Sequence, residues 1–151
     1  MADPRPTFSS ALSYLDPKAA LRWLETAFGF EPAMVISDAE GNLLHAEMTF
    51  GGGLIMLGAE WSDETRSPRS VGGKVTQSVH VHLTDSVDAH CRRAREAGAE
   101  IIAEPSDQFY GDRTYRARDP EGHIWTFAQT VHELTPAEWD EAGGVVTTTR
   151  L

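Results

Sequence analysis

Tyr110-Gly-Asp-Arg-Thr-Tyr-Arg-Ala-Arg-Asp-Pro-Glu-Gly-His-Ile-Trp-Thr-Phe-Ala128 holds two alternating runs, Arg113 to Arg118 and His123 to Ala128, on either side of Asp119-Pro120-Glu121-Gly122. Proline presets φ for a turn and glycine accepts positive φ, so the segment reads as a β-hairpin. On its second strand Trp125 and Phe127 alternate with Ile124, Thr126 and Ala128. The two aromatics are expected to face a helix-covered core.

Upstream of this hairpin the chain spells the same order of elements twice. Phe8 to Leu15 alternates as a strand, and Asp16-Pro17 then caps and opens a helix. Ala20, Leu21, Trp23, Leu24 and Ala27 form its apolar stripe, and Gly29 ends it. Strands are expected over 30–37, 43–50 and 54–58. In the middle one Leu44, Ala46, Met48 and Phe50 should point one way, and His45, Glu47 and Thr49 the other. The polar stretch 59–75, with Pro68, Gly72 and Gly73, reads as a linker. A second strand (77–84), helix (86–97, with Val87, Ala94 and Ala97 inward) and strand (from 100) then lead into the hairpin. Gly29 and Gly98 mark a period of about 69 residues, too long for a solenoid and suited to a duplicated βαβββ module. A sheet with a helix on one face must find a partner or ligand for the other. The expected division is a first module over 8–58, a linker over 59–76, a second module over 77–130, and a tail over 131–151 with a short helix started by Thr135-Pro136.

Bulk properties narrow the function classes. A length of 151 residues suits one compact domain or two small modules sharing a core. A formal net charge of -10 opposes binding to nucleic acid or to anionic membranes and is compatible with a cationic ligand. No apolar run is long enough to span a membrane, and Met1 to Thr7 lacks a secretion pattern, so a cytoplasmic location is expected. The lone Cys91 rules out an internal disulfide or a multi-cysteine metal cluster. Its basic neighbours Arg92 and Arg93 are of the kind that lower a thiol pKa.

The paired modules, with Asp16-Pro-Lys-Ala-Ala-Leu-Arg-Trp-Leu24, Ala27-Phe-Gly-Phe30, His45-Ala-Glu47, Ile55-Met-Leu-Gly58 and Gly111-Asp-Arg113 through Asp119-Pro-Glu-Gly-His123, resemble the vicinal oxygen chelate superfamily. This is the group of glyoxalases, bleomycin-resistance proteins and dioxygenases, and the likeness is to its PhnB-like bacterial branch. The resemblance implies an α+β fold in which two βαβββ modules curl mixed sheets around a cup-shaped cavity. It also implies a homodimer that completes its cavities across a two-fold axis.

Metal enzymes of that superfamily carry His, Glu or Gln at cavity-facing points of the first and last strand of each module. The corresponding residues here are taken as Ser9, Met56, Ser78 (with Val79 as competitor) and Thr126. Hydroxyls and a thioether are poor substitutes for imidazole or carboxylate around zinc, nickel or iron. The resemblance, without those ligands, implies no metal and no cofactor. It points to a small-molecule binder, with a cationic or aromatic antibiotic as the model ligand.

The polar groups expected to line the cup are His45, Glu47, His80 and His82, with Met56 below them and Tyr110 and Arg113 near its rim. Each has a plainer alternative. The histidines and Glu47 form a solvated strand face, Tyr110 packs, and Arg113 orders its loop through Asp112 or another carboxylate. The competing functional class is a lyase, isomerase or dioxygenase using a displaced metal at His45, Glu47, His80 and His82, or metal-free acid–base chemistry.

Overall fold

The computed structural model describes residues 4–151, so the first three residues of the Met1–Thr7 stretch lie outside it. The element order is β1 (Ser10–Ser13), α1 (Pro17–Phe28), β2 (Glu31–Ser37), β3 (Leu43–Phe50), β4 (Gly53–Gly58), β5 (Val79–His82), α2 (Val87–Glu96), β6 (Glu100–Asp107), β7 (Asp112–Arg118), β8 (Ile124–Thr130) and α3 (Pro136–Gly143). The strands form two four-stranded sheets of identical topology, β1-β4-β3-β2 and β5-β8-β7-β6. In each, the first strand in sequence (β1 or β5) is an edge strand running parallel to its neighbour, and the other pairings, including the opposite edge, are antiparallel. This is the α+β arrangement expected from the doubled sequence pattern.

Local chemistry explains the helix boundaries. Asp16 accepts from the Ala19 amide at 3.0 Å and Pro17 takes the first helical position of α1. Gly29 stops the helix at φ 81°, and the Arg93 guanidinium of α2 covers the spot. A Cβ on Gly29 would stand 2.9 Å from Arg93 Nη1. Arg93 itself donates to the Glu25 and Thr26 carbonyl oxygens, satisfying acceptors that the end of α1 leaves open. Ser86 caps α2 in the same way as Asp16 caps α1.

Both helices and the helix-facing sides of both sheets share one core. Phe28, at the end of α1, packs against Trp125 and Phe127 of β8, with ring centroids 5.4 and 4.7 Å away. Leu24, Ala27, Phe28, Val87, Trp125 and Phe127 are fully buried. Trp23 is only half-buried, and its indole N–H donates to the Ala97 carbonyl at 2.8 Å. In β3 the inward residues are Leu43, Ala46 and Met48, whereas Leu44 is exposed. The expected alternation breaks there because the β2–β3 register shifts between Ile36 and Ser37. A bulge of this kind turns the following residue to the other face. Cys91 is buried, and burial raises its thiol pKa. Desolvation outweighs the basic neighbours that the sequence drew attention to.

The turn between β7 and β8 locks the two halves together. Asp119 is 5% exposed and accepts from four donors. They are the Tyr14 hydroxyl at 2.8 Å, the Trp125 indole at 3.1 Å, and the amides of Glu121 and His123 at 3.0 Å each. Glu121 reaches back to the first half, accepting from the amides of Leu15 and Asp16 at 2.6 and 3.0 Å and from the Ser67 hydroxyl at 2.6 Å. His123 Nε2 lies 2.8 Å from the Ser13 carbonyl. Buried carboxylates persist only when saturated with donors, and these are. The most distinctive motif of the chain is therefore structural.

No helix among the described residues is long and apolar enough to cross a membrane.

Candidate functional site

Because Ala46 and Met48 turn into the core, His45, Glu47 and Thr49 project from the opposite, helix-free face of the first sheet. Strand register sets their neighbours. Met34, Glu47, Met56 and Ala11 form one row across β2, β3, β4 and β1. Ile36 stands beside His45, and Leu54 beside Thr49. Glu47 is the polar centre of this face. It is 6% exposed, receives Arg5 Nη2 at 2.8 Å, and lies 3.4 Å from His45 Nε2. The Arg5 hydrogen bond holds its carboxyl below the ordinary glutamate pKa.

The open face of the second sheet is built the same way. Val81 turns inward, leaving His80 and His82 exposed on the other side. His80 is in register with Thr126 and then Arg116, and His82 with Ala128 and then Thr114. Arg116 Nε approaches Thr126 Oγ1 at 3.4 Å. Arg118 pairs with Glu100 at 3.1 Å.

Two of the four presumed metal points need correction. Ser9 and Ser78 precede β1 and β5, and the residues in register with Met56 and Thr126 are Ala11 and His80. Of the four, only His80 carries the imidazole or carboxylate kind of donor that holds zinc, nickel or iron. Among the described residues, no three or more His, Cys, Asp or Glu side chains are grouped to hold an ion. His45 and Glu47 stand on one sheet, His80 and His82 on the other.

Between the β1 and β5 edges lies a groove of about 650 Å³. Phe30, Phe50, Val79 and Val81 line it, His80 and His82 give it a polar edge, and Phe8 stands at its mouth, 89% exposed. A mostly apolar hollow with few polar anchors is the usual form of a small-molecule site.

Tyr110 and Arg113 are elsewhere. Arg113 forks between Asp88 of α2 (Nη2 at 3.0 Å) and Asp107 of β6 (Nη1 at 3.0 Å), on the helix side of its sheet. Those ion pairs fix where β7 begins. Tyr110 packs edge-to-face on Phe109 and borders a shallow hollow with Trp139 and Val145 of the C-terminal segment. Arg5 and Arg116 are candidates that the structure adds. Alternation along β7 marks Arg116 for the open face, whereas nothing local marks Arg5.

The family profile described as the Glyoxalase/Bleomycin resistance protein/Dioxygenase superfamily matches residues 11–127. The chain belongs to that superfamily. The crystal structure of TioX from Micromonospora sp. ML1 is similar at 36% sequence identity, covering 81% of this chain and 96% of that one, with a TM-score of 0.67. The uncharacterized protein Rv0887c of Mycobacterium tuberculosis is 31% identical over 137 residues, 88% of this chain and 79% of its own length. TnmS3, described as an antibiotic binding protein from Streptomyces sp. CB03234, is 17% identical and shares the fold. That match covers 86% of this chain and 97% of TnmS3, with a TM-score of 0.63. As a member of this superfamily, the protein carries Ala11, Met56, His80 and Thr126 where its strand registers bring the two outer pairs together.

Proposed function

We infer that this superfamily member binds a small organic molecule, with a largely apolar and flat body, against the helix-free faces of its sheets. The observation that carries the reading is the row Met34, Glu47, Met56 and Ala11, in which one carboxylate is set among thioethers and a methyl group. Thioethers are polarizable and adapt to aromatic surfaces, while a single anchor fixes orientation. The description of TnmS3 as an antibiotic binding protein supports this class of ligand. His80, His82, Thr126 and Arg116 supply hydrogen-bonding groups on the second face.

The binding unit in this reading is a homodimer. Met34 and Ile36 of β2 and Ile102 of β6 are 38%, 46% and 39% exposed, and a second copy laid over these faces would cover them and deepen the cup. A cytoplasmic location fits its single, buried, unpaired thiol.

Titration of purified protein against a panel of flat aromatic and cationic antibiotics tests the proposal by intrinsic tryptophan fluorescence. Saturable binding with one site per chain or per dimer is expected. Absence of saturation across the panel overturns it.

One observation favours a second reading: His80 in register with Thr126 provides an imidazole for metal or acid–base chemistry. Elemental analysis of protein purified without chelators or a metal-affinity tag decides between the two. A stoichiometric transition metal favours catalysis.

A further inference from the structure

Glu47 already has a cationic occupant, and that occupant comes from the chain's own N-terminal segment. The guanidinium of Arg5 donates to Glu47 Oε1 at 2.8 Å, although the Arg5 side chain is 63% exposed and its target only 8%. Among the described residues, no other hydrogen bond ties Pro4–Phe8 to the sheet. The segment is therefore fastened at one point, and that point is the polar centre of the proposed ligand face. Pro4 and Pro6 flank Arg5. A residue preceding proline is confined to extended backbone, so the arginine is presented on a stiff arm that loses little freedom on docking. Around the carboxylate stand Met34 and Met56, in register on either side, and His45 at 3.4 Å. Thioether flanks suit an apolar body attached to a cation, and the carboxylate suits the charge itself.

We propose that Glu47, framed by Met34, Met56 and His45, is a cation subsite on the helix-free face of the first sheet, and that Arg5 is its built-in occupant, displaced when a ligand ammonium or guanidinium group binds. This rests on the small-molecule reading above and specifies the ligand's chemistry: an apolar body bearing a positively charged group. Arg5 then sets a threshold. A neutral ligand leaves it in place, whereas a cationic one must replace its hydrogen bond to Glu47. The apparent affinity for a cation is reduced by the fraction of molecules in which Arg5 holds the subsite.

The test is calorimetric titration with naphthylmethylammonium and its neutral counterpart naphthalenemethanol, using the full chain and its Arg5→Ala, Arg5→Lys and Glu47→Gln variants. If Arg5 occupies the subsite in about nine molecules of ten, Arg5→Ala tightens the ammonium compound by about tenfold. The alcohol is unchanged. Arg5→Lys, which keeps a cation on the arm, stays near the parent protein. Glu47→Gln removes the preference for ammonium over alcohol, with its folding checked by thermal unfolding.

An equal gain for both compounds in Arg5→Ala overturns the proposal, since it means steric uncovering alone. Unchanged ammonium affinity in Arg5→Ala overturns it too, as does an ammonium preference that survives Glu47→Gln. Should Glu47→Gln fail to fold, the contrast between Arg5→Ala and Arg5→Lys still decides. Binding of the alcohol without any preference for the ammonium compound sinks this inference and leaves the small-molecule reading standing. Binding of neither compound to any variant counts against both.

Discussion

The imidazole of His90, on α2, lies with Nε2 2.8 Å from the main-chain oxygen of Phe28, the last residue of α1. A carbonyl only accepts, so Nε2 carries the hydrogen, and Nδ1 accepts from the Tyr115 hydroxyl at 2.6 Å. One neutral ring thus joins both helices and β7. Burial lowers its pKa from the ordinary 6.5. A base whose pKa is depressed in the folded state binds its proton more readily when unfolded. Its contribution to stability is complete above about pH 6.5 and is lost as the pH falls below that value. His90→Leu should cost ~1–3 kcal/mol at neutral pH by stranding the Phe28 carbonyl and the Tyr115 hydroxyl. It should also flatten the fall in stability between neutral and mildly acidic pH. Urea unfolding of both proteins across that range checks the two effects together.

Asp119 is the acceptor on which the hairpin turn depends. Asp119→Ala leaves the Tyr14 hydroxyl, the Trp125 indole and two amides without their partner, and should destabilise by ~3 kcal/mol or more. Tyr14→Phe removes one donor of the four and should cost ~1 kcal/mol. Equilibrium denaturation of the pair distinguishes a hub from a set of independent contacts.

Arg5→Ala should also change how the protein responds to acid. The guanidinium depresses the pKa of Glu47 below 4.5 in the folded chain. A carboxyl depressed on folding contributes stability that is fully present above its unfolded pKa and is lost as pH falls through the folded one. The stability difference between parent and variant is therefore expected to be constant near neutrality and to shrink in acid below about pH 4.5. Thermal unfolding at stepped pH gives the comparison.

Crowding the open face of the second sheet should abolish binding without unfolding the protein. Thr126 is half-buried on the open face of the second sheet, beside His80. Thr126→Trp is expected to weaken any ligand found by titration by at least about tenfold, a loss of ~1.4 kcal/mol. A substitution on an open face changes stability by only about 0.5 kcal/mol. Parallel titration and melting curves separate the two quantities.

Ile36→Glu places a charge on the exposed apolar edge of β2. In the dimeric reading it shifts the protein toward monomer, followed by light scattering at rising concentration. A parent protein that remains monomeric throughout removes the dimer from the proposal.

Most of the architecture was legible because it is written in local periodicities. Asp16-Pro17 and Ser86 mark helix starts, Gly29 a helix end, and the alternation of Trp125 and Phe127 a buried strand face. Alternation along β3 places Leu44 with Ala46 and Met48, but Leu43 turns inward instead, because that choice depends on a register shift against β2. The site was harder to read. His45 with Glu47, and His80 with His82, follow from alternation and do share faces. Arg113 is drawn to Asp88 and Asp107 by tertiary packing that no spacing encodes. Arg5 meets Glu47 across 42 positions of sequence. The partner of Thr126 is His80 rather than Ser78 because parallel strands can slide by two residues without exchanging their faces.

Glu121, near the end of the second repeat, completes the hydrogen bonding of the amides that usher in the first helix. A gene fragment encoding either repeat alone would yield a chain with those groups stranded and with Phe28 or Trp125 bared to water. Neither repeat is therefore expected to stand as a folded unit on its own.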